Sequence, residues 1–337
     1  MLANQADHRK IGTPGVRRWW PTILLAMALG LGFWPPVTTS AATAEPALRV
    51  AAGIPPLGYL LERLGGDAVA ATILLPAGSD PHTFEPSPGQ VAQLARAELY
   101  FSLNMPFEQL LLRKIAAGPR VVKVDGGIKK LPLAGHHHEA PRHSDDHDDH
   151  DDHHDHAQAD AQHHDHATSG EHDPHVWLSP IGLAKIAAHI KDALVQVDPP
   201  RAAFYRDNYR ELAAELEQLH TSISELLAPV AGHTIYVYHP AFGYFTNAYN
   251  LRQRAVEIGG KTPTPRQLQS LIKQARRDGV RVIFVQPQFD RQSAATIARA
   301  IDGEVVALDP LAPEVMTNFE KMARHIRRAL DPSANNH

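Results

Sequence analysis

Residues 199–229 read PPRAAFYRDNYRELAAELEQLHTSISELLAP, and this stretch decides how the rest of the chain is arranged. Tyr205, Tyr209, Leu212, Leu216, Leu219, Ile223 and Leu226 recur at alternating spacings of four and three. That spacing lays one apolar stripe along a helix. Pro199-Pro200 mark its start and Ala228-Pro229 its end. Roughly 28 residues at 1.5 Å each span about 40 Å, longer than a helix inside one small lobe needs. A coiled-coil dimer is the alternative use of such a stripe, but three to four heptads inside an α/β pattern more often pack on their own chain. The stretch is therefore expected to be a rigid brace between two lobes of a monomer.

Working outward, β-rich runs lie in two sets of four, one on each side of a purely helical region. Before it come Leu48–Ala52, Val69–Leu75, Leu99–Leu103 and Val121–Val124; after it come Thr234–Val237, Ala255–Ile258, Val282–Val285 and Glu304–Leu308. Helical patterns alternate with them over Pro88–Arg96, Phe107–Ala117, Thr264–Asp278 and Arg291–Ile301. A β-α-β rhythm implies mostly parallel sheets flanked by helices. The expected fold is α/β with two lobes joined by the long helix: 45–197, 198–228 as linker, and 229–337.

The first 44 residues read as an address. Arg17-Arg18 precede the apolar run TILLAMALGLGFW at 22–34, and Ala42-Thr43-Ala44 is a small-x-small cleavage signal. Thirteen apolar residues are short for a bilayer crossing. A cleaved signal peptide ending near Ala44 and a soluble periplasmic product are expected. The 337 residues include 22 His and no Cys. Disulfides, thiolate metal sites and cysteine nucleophiles are thereby excluded, so any metal chemistry must use imidazole and carboxylate.

The charge is local. Residues 136–172 hold eleven acidic side chains against one Arg, while the remainder of the chain after residue 44 is close to +3, which indicates no nucleic-acid partner. The same stretch contains thirteen His: 136, 137, 138, 143, 147, 150, 153, 154, 156, 163, 164, 166 and 172, that is His136, His137, His138, His143, His147, His150, His153, His154, His156, His163, His164, His166 and His172. With almost no apolar side chains it is expected to be a disordered loop. Imidazole interleaved with carboxylate suits weak, accessory binding of divalent transition metals.

Outside the loop, His189, His220 and His325 fall in helical patterns and His233 in a turn, where an imidazole needs no metal to explain it. Three others share a setting. His82 and His175 each close an Asp-Pro-His tripeptide, and His239 precedes Pro240 just past a strand. In open α/β sheets ligands sit beyond the carboxyl ends of strands. Adjacent Pro residues stiffen the main chain there. Together with Asp309, which ends the last β-rich run, these residues offer three imidazoles and one carboxylate, a donor set suited to tetrahedral zinc.

The stretches GSDPHTFEPSPGQVAQLARAELYF, DPHVWLSP, YHPAFGYFTNAYNL, VIFVQPQF and VALDPL, spread in order over about 48–330, resemble the metal-specific solute-binding proteins of bacterial ABC importers, the zinc branch in particular. The resemblance implies two α/β lobes with a metal between them, ligated by His82, His175, His239 and Asp309, and a charged loop at 136–172. His239 matches zinc members; manganese members typically carry Glu there, and carboxylate in place of imidazole favours the harder ion. Gln286 replaces an acidic residue common in the family, so a charge behind the site is expected to be missing. Pro81 stands where some zinc relatives have Glu, which removes one further carboxylate.

The function so implied is capture of Zn2+ as cargo and delivery to an inner-membrane permease driven by a cytoplasmic ATPase, with no catalysis. Alternatives are a zinc-storage or adhesin-type protein, a manganese-importing member, and a secreted zinc hydrolase. The last lacks an H-E-x-x-H motif or a nucleophile elbow.

Overall fold

The computed structural model describes residues 47–115, 118–133, 172–257, 261–289 and 291–331. The expected signal peptide and all of the His-rich stretch except His172 lie outside the described residues.

Alternation of apolar strands with amphipathic helices produces two parallel four-stranded sheets. In the N-terminal lobe the strands are β1 (Leu48–Ala52), β2 (Val69–Ile73), β3 (Leu99–Ser102) and β4 (Arg120–Lys123), in the order β2-β1-β3-β4. In the C-terminal lobe β5 (Thr234–Val237), β6 (Arg252–Ala255), β7 (Val282–Val285) and β8 (Glu304–Ala307) repeat that order as β6-β5-β7-β8. Every pairing is parallel. The central strands β3 and β7 are buried throughout, as parallel strands covered on both faces must be.

The helices are α1 (Pro55–Gly65), α2 (Pro88–Leu94), α3 (Pro106–Lys114), α4 (Pro180–Val197), α5 (Ala202–Leu227), α6 (Gly243–Ala248), α7 (Pro265–Arg277), α8 (Arg291–Ala300) and α9 (Val315–Leu330). Pro stands in the first turn of α1, α2, α3, α4 and α7, where its missing N–H breaks no helical hydrogen bond. Ser87 and Thr264 close capping boxes with Gln90 and Gln267.

Helix α5 is the expected brace. It packs on α1 and α4 of the first lobe and on α9 of the second, and one hydrophobic core runs through both. Arg63 on α1 holds Glu215 on α5 by two bonds of 2.8 and 2.9 Å. The buried stripe consists of Tyr205, Leu212, Leu216, Leu219, Ile223 and Leu227. Tyr209 and Leu226, expected in that stripe, are only half-buried, and Leu227 replaces Leu226 because 3.6 residues per turn drift away from a strict heptad. The sixth strand is a second correction. It runs over Arg252–Ala255 rather than Ala255–Ile258, since polar Arg252, Gln253 and Arg254 suit a half-exposed edge strand that apolar runs do not signal. No helix among the described residues is long and apolar enough to cross a membrane.

Candidate metal centre

Three segments carry His into one place, two of them following the strands β2 and β5 and one preceding α4. After β2, Asp80 Oδ1 accepts the backbone N–H of His82 at 2.9 Å, a local turn that sets the main chain of this exposed residue. Ahead of α4, Asp173 Oδ1 accepts both the backbone N–H and Nδ1–H of His175, at 2.9 and 2.7 Å. After β5, Glu257 Oε1 lies 2.5 Å from Nδ1 of His239. Both His175 and His239 are buried.

The donor atoms of His82, His175 and His239 lie within 4.8 Å of one another, and these three form the only such group of His, Cys, Asp or Glu among the described residues. His82 Nε2 and His239 Nε2 are 3.1 Å apart. Two imidazoles on one tetrahedral zinc at about 2.0–2.1 Å each would stand roughly 3.3 Å apart, so this spacing needs little adjustment. Carboxylates on Nδ1 of His175 and His239 leave their Nε2 atoms to ligate and fix the ring orientations. The ring of Phe289 stacks on His239 at 5.0 Å, Trp177 sits 5.2 Å from His175, and Pro81, Ala241, Gln288, Pro310 and Leu311 complete the lining. The free volume among them is about 10 Å³, room for one ion or water.

Asp309 stands outside the trio. Its Oδ1 accepts Gln288 Nε2–H at 2.8 Å and the backbone N–H of Leu311 at 2.9 Å, and Gln288 rather than Asp309 lines the cleft. A motif places a residue along the chain; it does not tell which neighbour claims its side chain.

The charge expected to be missing behind the site is present from another position. Gln286, fully buried, accepts the backbone N–H of His239 at 3.3 Å and donates to its carbonyl at 2.8 Å. The carboxylate comes instead from Glu257, just past β6. Placing residues 255–258 in a strand hid Glu257; an acidic side chain in an otherwise apolar run was the available signal. His189 Nε2–H donates to Gly126 O at 3.0 Å, and His220 Nδ1 approaches Tyr249 Oη at 3.4 Å, so neither joins the cleft. A larger groove of about 980 Å³ opens at the amino-terminal ends of β5, β6 and β7, near Arg252, Arg254 and Arg281, and contains no His triad.

The family described as zinc-uptake complex component A, periplasmic (ZnuA), matches residues 50–331. The zinc-binding protein AdcA of Streptococcus pyogenes is 26% identical over 314 residues, which cover 89% of this chain and 58% of AdcA, so the chain spans little more than half of that relative. The high-affinity zinc uptake system protein ZnuA of Yersinia pestis is 27% identical over 318 residues, 89% of this chain and 92% of its own. A crystal structure of ZnuA has a TM-score of 0.72 and 31% identity, and covers 85% of this chain and 100% of that one. A ZnuA deletion mutant with zinc bound gives the same TM-score and identity. From a match over nearly all of the described chain and from the shared architecture, it follows that this chain belongs to the ZnuA family of periplasmic zinc-uptake components.

Proposed function

We propose that the chain captures Zn2+ from the periplasm at His82, His175 and His239 and delivers it to an inner-membrane permease driven by a cytoplasmic ATPase. The observation that carries the reading is the convergence of three imidazole donors, without any thiol, in a closed cleft between the lobes. Nitrogen donors of intermediate softness suit zinc over manganese or magnesium. Names of relatives with zinc binding or zinc uptake in them point the same way. Zinc is here cargo, and nothing in the proposal requires turnover of a substrate. Removal of residues 1–44 as a signal peptide accounts for the periplasmic address.

Asp309 serves in this reading as a reserve fourth ligand. Its Oδ1 is engaged by Gln288, so its replacement is expected to weaken binding less than loss of any of the three His. The segment 136–171 contributes additional, weaker sites, because ligands on a polar stretch have to be gathered before they bind.

Calorimetry on the full chain and on a form lacking 136–171 tests the reading. One tight zinc per chain is expected in both, with weaker sites in the full chain alone. Loss of the tight site on deletion would transfer the primary ligands to the segment. In cells lacking the chain, growth under zinc limitation should be restored by wild type and not by His239→Ala.

A further inference from the structure

We propose that Tyr244 is a positioning residue for metal capture, holding the His175 ligand from the opposite lobe. The proposal rests on the reading of His175 as a zinc ligand. His175 precedes α4 and follows the N-terminal sheet in the chain, yet the groups that aim it are bonded to the C-terminal lobe. The hydroxyl of Tyr244, in α6, accepts the backbone N–H of Leu131 and donates to the carbonyl of Asp173, each at 3.2 Å. The backbone N–H of Asp173 donates in turn to Leu131 O at 2.9 Å, which closes a ring of three bonds around one hydroxyl.

Asp173 is 1% exposed, and its Oδ1 takes both N–H groups of His175. Its other oxygen rests against Gly243, where an added Cβ would lie 2.3 Å from Oδ2. Only a residue without a side chain allows this approach. On the far side of the ligand, Trp177 Nε1–H donates to Pro310 O, between β8 and α9, at 2.7 Å. Residues 173–177 are thus fastened to the C-terminal lobe two residues before the ligand and two residues after it. With the lobes together, these bonds fix the segment that aims the His175 lone pair, and the clasp must loosen for metal to leave. The same ring joins the two ends of the His-rich segment, whose flanking residues Pro132 and His172 form a bridge.

Tyr244→Phe keeps the ring and removes the hydroxyl. With zinc alone as probe and the full chain throughout, release is followed by stopped-flow transfer to a chromophoric chelator. The His175 imidazole is followed by nitrogen NMR in the zinc-free protein. Expected is about three- to ten-fold faster release, the scale of one lost hydrogen bond, with a shifted or broadened His175 Nδ1–H signal. A purely packing role would leave that signal unmoved. Should Tyr244→Phe destabilise the fold, Trp177→Phe, which frees the other end, is expected to speed release in the same range.

Wild-type release and an unaltered His175 signal in Tyr244→Phe, alongside loss of tight zinc in His175→Ala, would overturn the clasp while leaving the function intact. Tight zinc retained by His175→Ala would instead remove the reading on which the clasp rests, and the clasp with it.

Discussion

The two lobes repeat one strand order, yet only one of them places a candidate metal ligand at its central crevice. In the C-terminal lobe His239 follows the central strand β5, and Gln286, following β7, grips its main chain. At the corresponding place in the N-terminal lobe, Gly53 follows β1 and the crevice is closed by Glu108. That carboxylate is 1% exposed and accepts Tyr100 Oη–H, Ser102 Oγ–H and the backbone N–H of Met105 at 2.8, 3.0 and 2.8 Å. A Cβ on Gly53 would stand 2.5 Å from Glu108 Oε1. With its centre filled, the N-terminal lobe supplies His82 and His175 from segments beyond its edge strands β2 and β4. A duplicated topology therefore does not yield a duplicated site. The crevice binds where a polar side chain supports a ligand and merely stabilises where the side chain satisfies itself.

The sharpest way to break this contrast is to empty each crevice in turn. His239→Ala is expected to weaken zinc at least about 100-fold by chelator competition, since one of three inner-sphere donors is lost. Glu108→Ala should leave zinc affinity within about two-fold while lowering unfolding free energy by about 2–4 kcal/mol, because three buried donors lose their acceptor. If Glu108→Ala impaired zinc as much as His239→Ala, the two crevices would share one role.

The support of His239 comes next in size. Glu257→Gln should weaken zinc about 10- to 30-fold, the usual scale for a carboxylate that orients a ligating imidazole. Gln286→Glu should cost about three- to ten-fold, because a carboxylate cannot donate to His239 O and would add a second negative charge to the pocket holding Glu257. Equal affinities for all three proteins in a zinc titration would show that His239 needs no such support.

The smallest effect concerns protons. Burial pushes the Glu108 carboxyl above its ordinary range, against the opposing pull of its hydrogen-bond donors. The folded chain therefore holds this proton more tightly than the unfolded chain does. The stability this confers is present at acid pH and is lost as pH rises from about 4.3 through the raised folded value, then levels off. Relative to Glu108→Gln, wild type should lose stability across that window in denaturant titrations at successive pH values. A pH-independent difference would mean that Glu108 titrates alike in both states.

Much of this was legible without coordinates. The strand Val282–Val285 coincides with a continuous apolar run, because a parallel strand buried on both faces needs apolar side chains in succession, and Leu48–Ala52 and Thr234–Val237 were legible from their mainly apolar runs despite Arg49 and Thr234. The α5 brace was legible from its stripe and its bounding prolines. The edge strand Arg252–Ala255 was not, because half-exposed strands tolerate charge and leave no apolar signature. His82, His175 and His239 could be singled out by adjacent Pro residues and strand-end positions, and the structure brings their donor atoms together.

The sequence by itself determined the two-lobe α/β plan, the reliance on imidazole in a chain without Cys, and the three His available for a metal. These depend on side-chain type and on spacing within one element, which short-range physics governs. Only the tertiary structure decided that Glu257 backs His239, that Gln288 bonds Asp309, that Glu108 closes the N-terminal crevice, and that Tyr244 reaches across to Asp173. Each is a contact between residues with no shared periodicity, one of them 71 positions apart. A polar side chain bonds whichever partner packing delivers to it, and that partner is set by how the lobes come together rather than by its neighbours in the chain.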